Sequence, residues 1–317
     1  MQATVRIRRF NPEQPANNGK FQEFKLDVPD STTVLDALIK VREDVDGTLG
    51  VRCSCRASIC GSCGMRVNGQ AKLACKTKIA DVSRHGEPIT VEPMGNMPVV
   101  KDLITDMKVF WDKLRQVEPY LQPEGPAPKG EYIASDESMN HLVGVMNCIM
   151  CGACVSDCTV LAVDKNFIAP AALAKAYRFV ADPRDSRTSQ RLGVLNESGG
   201  VWDCVRCMYC VEVCPKGVAP MERIMKMRDL AMEAGYNNTP GARHTESFAS
   251  SVKSDGLLNE TKLAIDSTGI FNIPGQLAQA PVAVRALLRG KLPPLFGHKI
   301  KARKQIKRVF EKVEGQE

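Results

Sequence analysis

The placement of cysteine constrains this chain more than any other feature of its sequence. Thirteen cysteines occur among its 317 residues, and twelve of them fall into three spaced groups. The segment Met1–Phe10 lacks the apolar run of a secretory signal, and no apolar run is long enough to cross a bilayer. We therefore expect a reducing compartment, in which clustered cysteines bind metal or carry out redox chemistry rather than form disulfides.

The first cysteine group lies in a short loop and a strand-like segment that follows it. From Cys55 the spacing is C-x4-C-x2-C, and a fourth cysteine comes after eleven further residues. This spacing is typical of plant-type 2Fe–2S sites, in which three thiolates converge from one sharply bent loop. It predicts a 2Fe–2S cluster with the ligands Cys55, Cys60, Cys63 and Cys75. Cys53 falls outside the spacing and is interpreted as a free thiol. The alternative is structural zinc, which favours paired C-x2-4-C knuckles.

Two later runs repeat one pattern, C-x2-C-x2-C-x3-C. It is the bacterial ferredoxin pattern, in which the fourth cysteine of each run ligates the cluster of the other run. One predicted 4Fe–4S cluster has the ligands Cys148, Cys151, Cys154 and Cys214. The third predicted cluster has the ligands Cys158, Cys204, Cys207 and Cys210. Zinc binding or chance spacing explains a duplicated run poorly.

The pattern of apolar residues predicts an α+β chain, with strands confined to the N-terminal part. Strands are predicted at Thr4–Phe10, Phe21–Val28, Gly64–Val67, Ala71–Ala74 and Ile89–Val91. Helices are predicted from a Ser31 cap to about Val41, and at Val99–Val117, Pro170–Val180 and Pro220–Ala234. These elements indicate a small mixed domain at residues 1–100 and a helical two-cluster domain at 131–236. Between them, 101–130 contains a helix and a proline-rich segment, either a stiff linker or an ordered surface crossing, and 237–317 is a basic extension.

The charge of the chain gives little support for a nucleic-acid partner. The formal net charge is +7 when every cysteine is counted as neutral. An oxidised cluster with its thiolates carries about −2, so three clusters would bring the protein close to neutral. The histidines form no spaced group and are interpreted as surface or capping residues; they are His85, His141, His244 and His298.

A plant-type site followed by a two-run site resembles the iron–sulfur subunit of succinate dehydrogenases and fumarate reductases. The likeness covers about residues 4–235, including Ser54–Gly69, Leu73–Cys75, Lys101–Met107, Ala169–Asp185 and Cys210–Pro220. The resemblance implies a β-grasp 2Fe–2S ferredoxin domain followed by an all-helical bacterial-ferredoxin-type domain. It also implies a subunit, peripheral on the cytoplasmic face of a membrane, that relays single electrons between FAD on a flavoprotein subunit and a quinone. No substrate chemistry is expected on this chain itself.

Several positions depart from that family. Typical members carry a 3Fe–4S third cluster and have an aliphatic or polar residue where Cys207 stands. The extra thiolate favours 4Fe–4S here, and 3Fe–4S without Cys207 is the alternative. Thr159 stands where typical members have proline, while Val163 and the region of Val205 lack the Trp and His of ubiquinone-binding members. These departures favour menaquinone or a further cluster as the acceptor near the third cluster.

The C-terminal extension resembles a different group of proteins. Gly241–Glu260 and Arg289–Lys299 look like small iron–sulfur subunits of heterodisulfide reductases, which implies a cysteine-rich quinone-reducing subunit in place of the usual membrane anchor. The alternative function is therefore a relay subunit of a heterodisulfide-reductase-like or other flavoprotein complex. The plant-type domain at 1–100 argues against it, because the small subunits of heterodisulfide reductases lack that domain.

The last part of the extension, Arg285–Lys312, holds ten Lys or Arg residues and one acid, Glu311. We predict that it docks onto an acidic partner subunit or an anionic membrane surface. Nearby apolar side chains also need cover; they are Leu287, Leu288, Leu292, Leu295 and Phe296.

Overall fold

The computed structural model describes residues 1–83, 86–293 and 299–315. Four residues named above lie outside these ranges: His85, His298, Leu295 and Phe296. The described chain divides into two compact units, residues 1–227 and 228–317. Among the described residues, no helix is both long enough and apolar enough to span a bilayer.

The N-terminal part of the first unit is built on a mixed five-stranded sheet. Its strands are β1 (Gln2–Arg8), β2 (Phe21–Asp27), β3 (Gly64–Val67), β4 (Gln70–Leu73) and β5 (Ile89–Glu92). They lie in the order β2-β1-β5-β3-β4, and β1 pairs with β5 in parallel while the other pairs are antiparallel. Alternate side chains such as Val5 and Ile7 point into the core and are buried, as strand periodicity requires. This arrangement agrees with the β-grasp domain that the resemblance implies.

Helix α1 (Val34–Lys40) packs Leu35 and Leu38 into the same core. Its cap is Thr33 rather than the predicted Ser31. The Thr33 hydroxyl accepts a hydrogen bond from the backbone N–H of Asp36, and the Asp36 carboxylate accepts one from the backbone N–H of Thr33. This reciprocal capping box satisfies two backbone donors, which a single Ser31 side chain cannot do. A short turn, helix α2, follows at Ile79–Val82.

The predicted helix over Val99–Val117 is wrong in its first half. Strands β6 (Val99–Lys101) and β7 (Ile104–Thr105) form a hairpin there, and helix α3 spans only Lys108–Gln116. The reason is Asp102, which has a φ of 45° and a buried carboxylate. That carboxylate accepts hydrogen bonds from the backbone N–H of Gly50, the backbone N–H of Phe10 and the guanidinium of Arg9. These contacts across the domain outweigh the helical spacing of the local apolar residues.

The rest of the first unit is helical. Its helices are α4 (Asp136–Asn140), α5 (Ala153–Ser156), α6 (Thr159–Val163), α7 (Pro170–Val180), α8 (Thr188–Leu195) and α9 (Tyr209–Glu212). Helix α10 covers Pro220–Glu233. The prediction for α7 is confirmed to the residue, and that for α10 to within one residue. Both helices begin with proline, whose fixed φ suits the first helical turn.

The proline-rich segment is pinned to this helical part over its first residues. The buried Arg191 side chain donates to the carbonyl oxygens of Val117, Glu118 and Tyr120 at 2.8–2.9 Å. The backbone N–H of Gln122 donates to the Asp185 carboxylate at 3.1 Å. The start of the segment is therefore an ordered surface crossing rather than a free linker.

The second unit contains helices α11 (Pro240–Asp255), α12 (Glu260–Thr268), α13 (Ile273–Leu288) and α14 (Arg303–Glu314). Helix α11 packs against both α12 and α14. Helix α13 buries none of its side chains, and its Leu277, Val282 and Leu288 are exposed.

Candidate metal centres

The loop of the first cysteine group turns its backbone donors toward sulfur. The Sγ atom of Cys55 accepts hydrogen bonds from the N–H groups of Ala57, Ile59 and Cys60 at 3.3–3.4 Å. The tight bend needs left-handed residues, and Arg56, Ser58 and Gly61 have φ values of 54°, 59° and 73°. Such a ring of N–H groups stabilises negative charge on sulfur.

The four predicted ligands of this site lie close enough to affect one another. The Ser62 hydroxyl and the backbone N–H of Cys55 lower the pKa of the Cys60 thiol to about 6. Burial raises the pKa of the Cys63 thiol to about 12, and the charges of Cys75 and Cys60 add to that rise. A buried thiol beside other thiols loses its proton readily only when a cation balances the charge, so this donor set fits a metal cluster.

The fifth cysteine of this region, Cys53, has surroundings similar to those of Cys75. It is half-buried and packs against the apolar core of the N-terminal sheet. Its interpretation as a free thiol stays a prediction.

The second predicted site surrounds an apolar cavity. Cys148, Cys151, Cys154 and Cys214 all line it, together with apolar residues that include Phe110, Ala171 and Ala174. Burial raises the pKa of the Cys151 thiol to about 11, and the charges of Cys148 and Cys214 contribute to the rise. Burial also raises the pKa of the Cys154 thiol well above its ordinary value. Cys214 comes from the second run, so the structure brings the crossed set together around one cavity.

The third predicted set is also brought together. Burial raises the pKa of the Cys210 thiol to about 12, and the charges of Cys204, Cys207 and Cys158 add to the effect. Burial likewise raises the pKa of Cys158, which interacts with Cys207 and Cys204. The Thr159 hydroxyl lies 3.4 Å from the Sγ atom of Cys207, at hydrogen-bonding distance. Cys207 is thus part of this group, although it is the most exposed of the four.

The two runs share one backbone conformation. Cys148 and Cys204 each follow a short 3-10 turn, with φ and ψ of −62° and 118° in one and −65° and 119° in the other. Two residues later, Met150 and Arg206 have φ values of 54° and 58°. The next cysteine of each run is followed by a left-handed residue, Gly152 at 80° in the first run and Met208 at 69° in the second. The shared geometry places Cys207 in the second run as Cys151 is placed in the first.

The first and second sites approach each other closely. A methyl group added at Gly61 would lie 2.8 Å from the Cβ atom and 2.9 Å from the Cα atom of Cys151. Cys151 and Ile149 also pack against the core of the N-terminal sheet. Glycine at position 61 therefore lets the loop of one site touch the backbone of the next.

No group of three or more His, Cys, Asp or Glu side chains in the described parts of the chain closes around a single ion. Cluster ligands need a different arrangement, because their thiolates bind separate iron atoms of a larger core.

Two family models match the chain. Residues 4–112 match the 2Fe-2S iron-sulfur cluster binding domain, and residues 144–218 match the 4Fe-4S dicluster domain. The fumarate reductase iron-sulfur subunit of Mycobacterium tuberculosis (strain CDC 1551 / Oshkosh) is 38% identical over 226 residues, which cover 71% of this chain and 90% of that protein. This chain belongs to the family of iron–sulfur subunits of succinate dehydrogenases and fumarate reductases.

Two further members extend this comparison. The 8-methylmenaquinol:fumarate reductase iron-sulfur subunit of Wolinella succinogenes is 30% identical over 298 residues, covering 89% of this chain and 90% of that protein. A chain of the Mycobacterium smegmatis Sdh1 complex in the apo form superposes with a TM-score of 0.68 at 26% identity. The match covers 75% of this chain and 98% of the other.

Family membership confirms the main expectations from the sequence. The chain is α+β, with an N-terminal 2Fe–2S domain and a helical 4Fe–4S dicluster domain. It is the electron-transfer iron–sulfur subunit of a succinate dehydrogenase or fumarate reductase complex. The individual ligand assignments stay predictions.

Sequence reasoning missed the polar residues that hold the end of the first cysteine run. Asn96, Asp157 and Ser156 hydrogen-bond across more than 55 positions of sequence, as do Ala71 and Gly95. Gly95-Asn96 reads only as a turn, and no local pattern indicates what such a turn contacts.

Proposed function

We propose that this subunit relays single electrons through three clusters between FAD on a flavoprotein subunit and a quinone or a further redox subunit. The 2Fe–2S cluster is held by Cys55, Cys60, Cys63 and Cys75, and the first 4Fe–4S cluster by Cys148, Cys151, Cys154 and Cys214. The third cluster is held by Cys158, Cys204, Cys207 and Cys210. The clusters supply the electron-transfer chemistry. The chain holds the thiolates, buries those of Cys63, Cys158 and Cys210, and keeps neighbouring sites close.

The third cluster is a 4Fe–4S centre in this proposal. The observation that carries it is the common backbone of the two runs, which gives Cys207 the position that Cys151 has in the first run. A fourth thiolate adds negative charge and lowers the reduction potential. A low potential suits menaquinone or a further cluster better than ubiquinone. The name of the Wolinella relative includes 8-methylmenaquinol, which also supports a menaquinone-type acceptor.

The acceptor side lies next to the third cluster. Val163 and Val205 are 88% and 65% exposed and stand close in sequence to Cys158 and Cys204. Exposed apolar residues beside a redox site are suited to a partner or a quinone. The partner is a membrane-anchor subunit or a cysteine-rich subunit, and the complex lies on the cytoplasmic face of a membrane with this chain peripheral.

The domain limits form part of the proposal. They are residues 1–100 for the 2Fe–2S domain, 101–130 for the helix and proline-rich segment, 131–236 for the two-cluster domain and 237–317 for the extension. The family model of the first domain reaches residue 112 and so includes part of α3.

Redox-poised electron paramagnetic resonance of the whole complex tests the proposal. We expect one 2Fe–2S signal and two 4Fe–4S signals on reduction. An oxidised, undamaged preparation that shows one full spin of 3Fe–4S signal per protein would refute the 4Fe assignment of the third cluster. Absence of any signal that responds to succinate or fumarate would refute the relay.

A further inference from the structure

The turn that carries Cys158 is held by the N-terminal sheet domain. Helix α5 ends at Ser156, and the carbonyl groups at a helix end lack partners within the helix. The Asn96 side-chain amide, which lies outside the helix, donates hydrogen bonds to these carbonyl groups. Its nitrogen lies 2.9, 3.1 and 2.9 Å from the carbonyl oxygens of Val155, Ser156 and Cys158, which share its two N–H groups. One side chain therefore fixes the backbone on both sides of Asp157.

Other groups of the same domain hold this turn as well. The backbone N–H of Gly95 donates to the Ser156 hydroxyl at 2.9 Å, and that of Ala71 donates to the Asp157 carboxylate at 2.7 Å. The Arg66 guanidinium lies 3.5 Å from the same carboxylate. A methyl group added at Gly95 would lie 2.7 Å from the carbonyl oxygen of Ser156. The two surfaces are in direct contact, with no room for a larger residue at Gly95.

This turn lies between ligands of two different sites. Cys154 stands on α5 and lines the cavity of the second site, whereas Cys158 follows the turn and groups with Cys204, Cys207 and Cys210. The direction of the Cys158 thiol depends on the backbone that Asn96 holds. The backbone N–H of Leu161 lies 3.5 Å from the Cys158 sulfur, so a rotation of the turn would also change this hydrogen bond. Hydrogen bonds to cluster sulfurs and the orientation of ligands set cluster potentials.

We propose that Asn96 is a positioning residue for the third cluster, so that the potential and occupancy of that cluster depend on a side chain of the 2Fe–2S domain. The inference rests on the proposed role of Cys158 as a ligand of that cluster. It assigns to the sheet domain a second task besides holding its own cluster.

Asn96→Gly tests this role with little disturbance of the backbone, because Asn96 has a φ of 59° and glycine accepts that value. The matched control is Asn68→Gly. Asn68 has a φ of 49°. Its side chain donates a hydrogen bond to the carbonyl oxygen of Val82 and accepts one from the backbone N–H of Thr90, both within the sheet domain. Both variants are measured in the assembled complex by redox titration followed by electron paramagnetic resonance. We expect Asn96→Gly to shift the midpoint potential of the third cluster and to at least halve its signal relative to the 2Fe–2S signal. Asn68→Gly should change neither.

Two more variants separate failure of this inference from failure of the ligand assignment. Cys158→Ser should remove the third-cluster signal, and an intact signal would overturn the assignment itself. If Cys158→Ser removes the signal but Asn96→Gly matches Asn68→Gly in potential and intensity, the positioning role is overturned.

Ser156→Ala breaks the contact with Gly95 and leaves both Asn96 and the cysteines in place. It should shift the third-cluster potential in the same direction, and an unchanged potential would count against the proposal even if Asn96→Gly did not accumulate.

Discussion

Cys53 and Cys55 are two residues apart, yet they differ in what surrounds their sulfur atoms. The Cys55 sulfur accepts three backbone hydrogen bonds, whereas Cys53 packs against apolar core side chains. Donated hydrogen bonds stabilise a thiolate, which is the form that binds iron. The hydrogen bonds to Cys55 therefore agree with the spacing, which predicts that Cys55 is the ligand.

Replacing each of two cysteines tests this distinction. Cys53→Ser should leave the 2Fe–2S signal at one spin per protein, because the ligand set is complete without it. Cys60→Ser should abolish or alter that signal, since an alkoxide is a poorer ligand than a thiolate for this iron site. Electron paramagnetic resonance of the reduced complex checks both variants. A lost signal in Cys53→Ser would mean that the ligand set is wrong.

A second substitution tests the role of Cys207. Cys207→Ser should convert the third cluster to a 3Fe–4S centre, because one iron corner loses its thiolate. The expected result is a new signal of about one spin in the oxidised protein, together with a higher midpoint potential. Cys53→Ser provides the control for the loss of a cysteine as such. If the third-cluster signal of Cys207→Ser equals that of the unaltered protein, Cys207 is not a ligand.

At the scale of single elements, the loop that contains Gly61 is shaped by its contact with Cys151 of the first run. Gly61→Ala should therefore destabilise the subunit in two ways. The positive φ of 73° costs about 1–2 kcal/mol with alanine, and the clash with Cys151 adds about 1–3 kcal/mol of overpacking.

Gly69→Ala is the matched control for Gly61→Ala. Gly69 has a φ of 79°, and an added methyl group there would meet nothing within 4 Å. Gly69→Ala should therefore lower the free energy of unfolding only by the cost of alanine at a positive φ, about 1–2 kcal/mol. Denaturant unfolding of the cluster-loaded subunit measures the difference between the two variants, and equal losses would show that Gly61 does not set the approach of the two sites.

The end of helix α7 depends on Asp182, whose buried carboxylate accepts hydrogen bonds from Arg178 and Arg184 at 2.5–2.8 Å. The bonds from Arg184, followed by that from Arg178, lower its pKa from the ordinary 3.8 to about 2. A lowered pKa in the folded state adds stability above the unfolded pKa, and this stability is lost as pH falls toward the folded pKa.

Asp182→Asn should therefore cost about 2–3 kcal/mol of unfolding free energy at pH 7. The difference from the unaltered subunit should stay constant down to about pH 5 and shrink below about pH 4. Melting temperatures across this pH range measure it. A variant as stable as the parent at pH 7 would contradict the role of the pair.

The elements that were predicted well depend on local spacing, and those predicted wrongly depend on distant partners. Helix α7 begins at a proline and has an apolar stripe along one face, so neighbouring residues in the sequence determine where it begins and ends. The region of Asp102 has a helical stripe too, but a buried carboxylate with partners from two other segments makes it a hairpin. The same limit applies to the sites. Cysteine spacing predicts which sulfurs are grouped, whereas the hold of Asn96 on the Cys158 turn arises only in the folded chain.

At the scale of the whole molecule, the second unit combines exposed apolar and cationic surface. No Asp or Glu occurs between Asp266 and Glu311. The structure also shows that a truncation after Gly275 would cut through α13, which begins at Ile273. Replacing charges on α14 is therefore a cleaner test of docking than truncation.

The triple variant Lys304→Gln, Arg308→Gln and Lys312→Gln removes three exposed cations and leaves the apolar residues of α14 unchanged. We expect weaker retention of the subunit in its complex or membrane fraction, with a smaller dependence on salt. The matched control replaces three exposed lysines of the first unit with glutamine; they are Lys25, Lys78 and Lys129. Binding to vesicles that contain anionic lipid, compared with binding to the other subunits, identifies the docking partner. Equal retention of the two triple variants would rule out docking through α14.

The crossed arrangement of the two runs also determines when, during synthesis of the chain, each set of predicted ligands becomes complete. The predicted ligands of the first site end at Cys75, so a ribosome exposes that whole set early. Each of the other two predicted ligand sets takes cysteines from both runs, and the closest such pair, Cys158 and Cys204, is 46 positions apart. Until Cys204 emerges, the first run has an incomplete set of sulfurs for either predicted site. In the predicted assignment these two sets are complete only at Cys214 and Cys210, so iron delivery follows synthesis of about two thirds of the polypeptide, and the two sites should mature together.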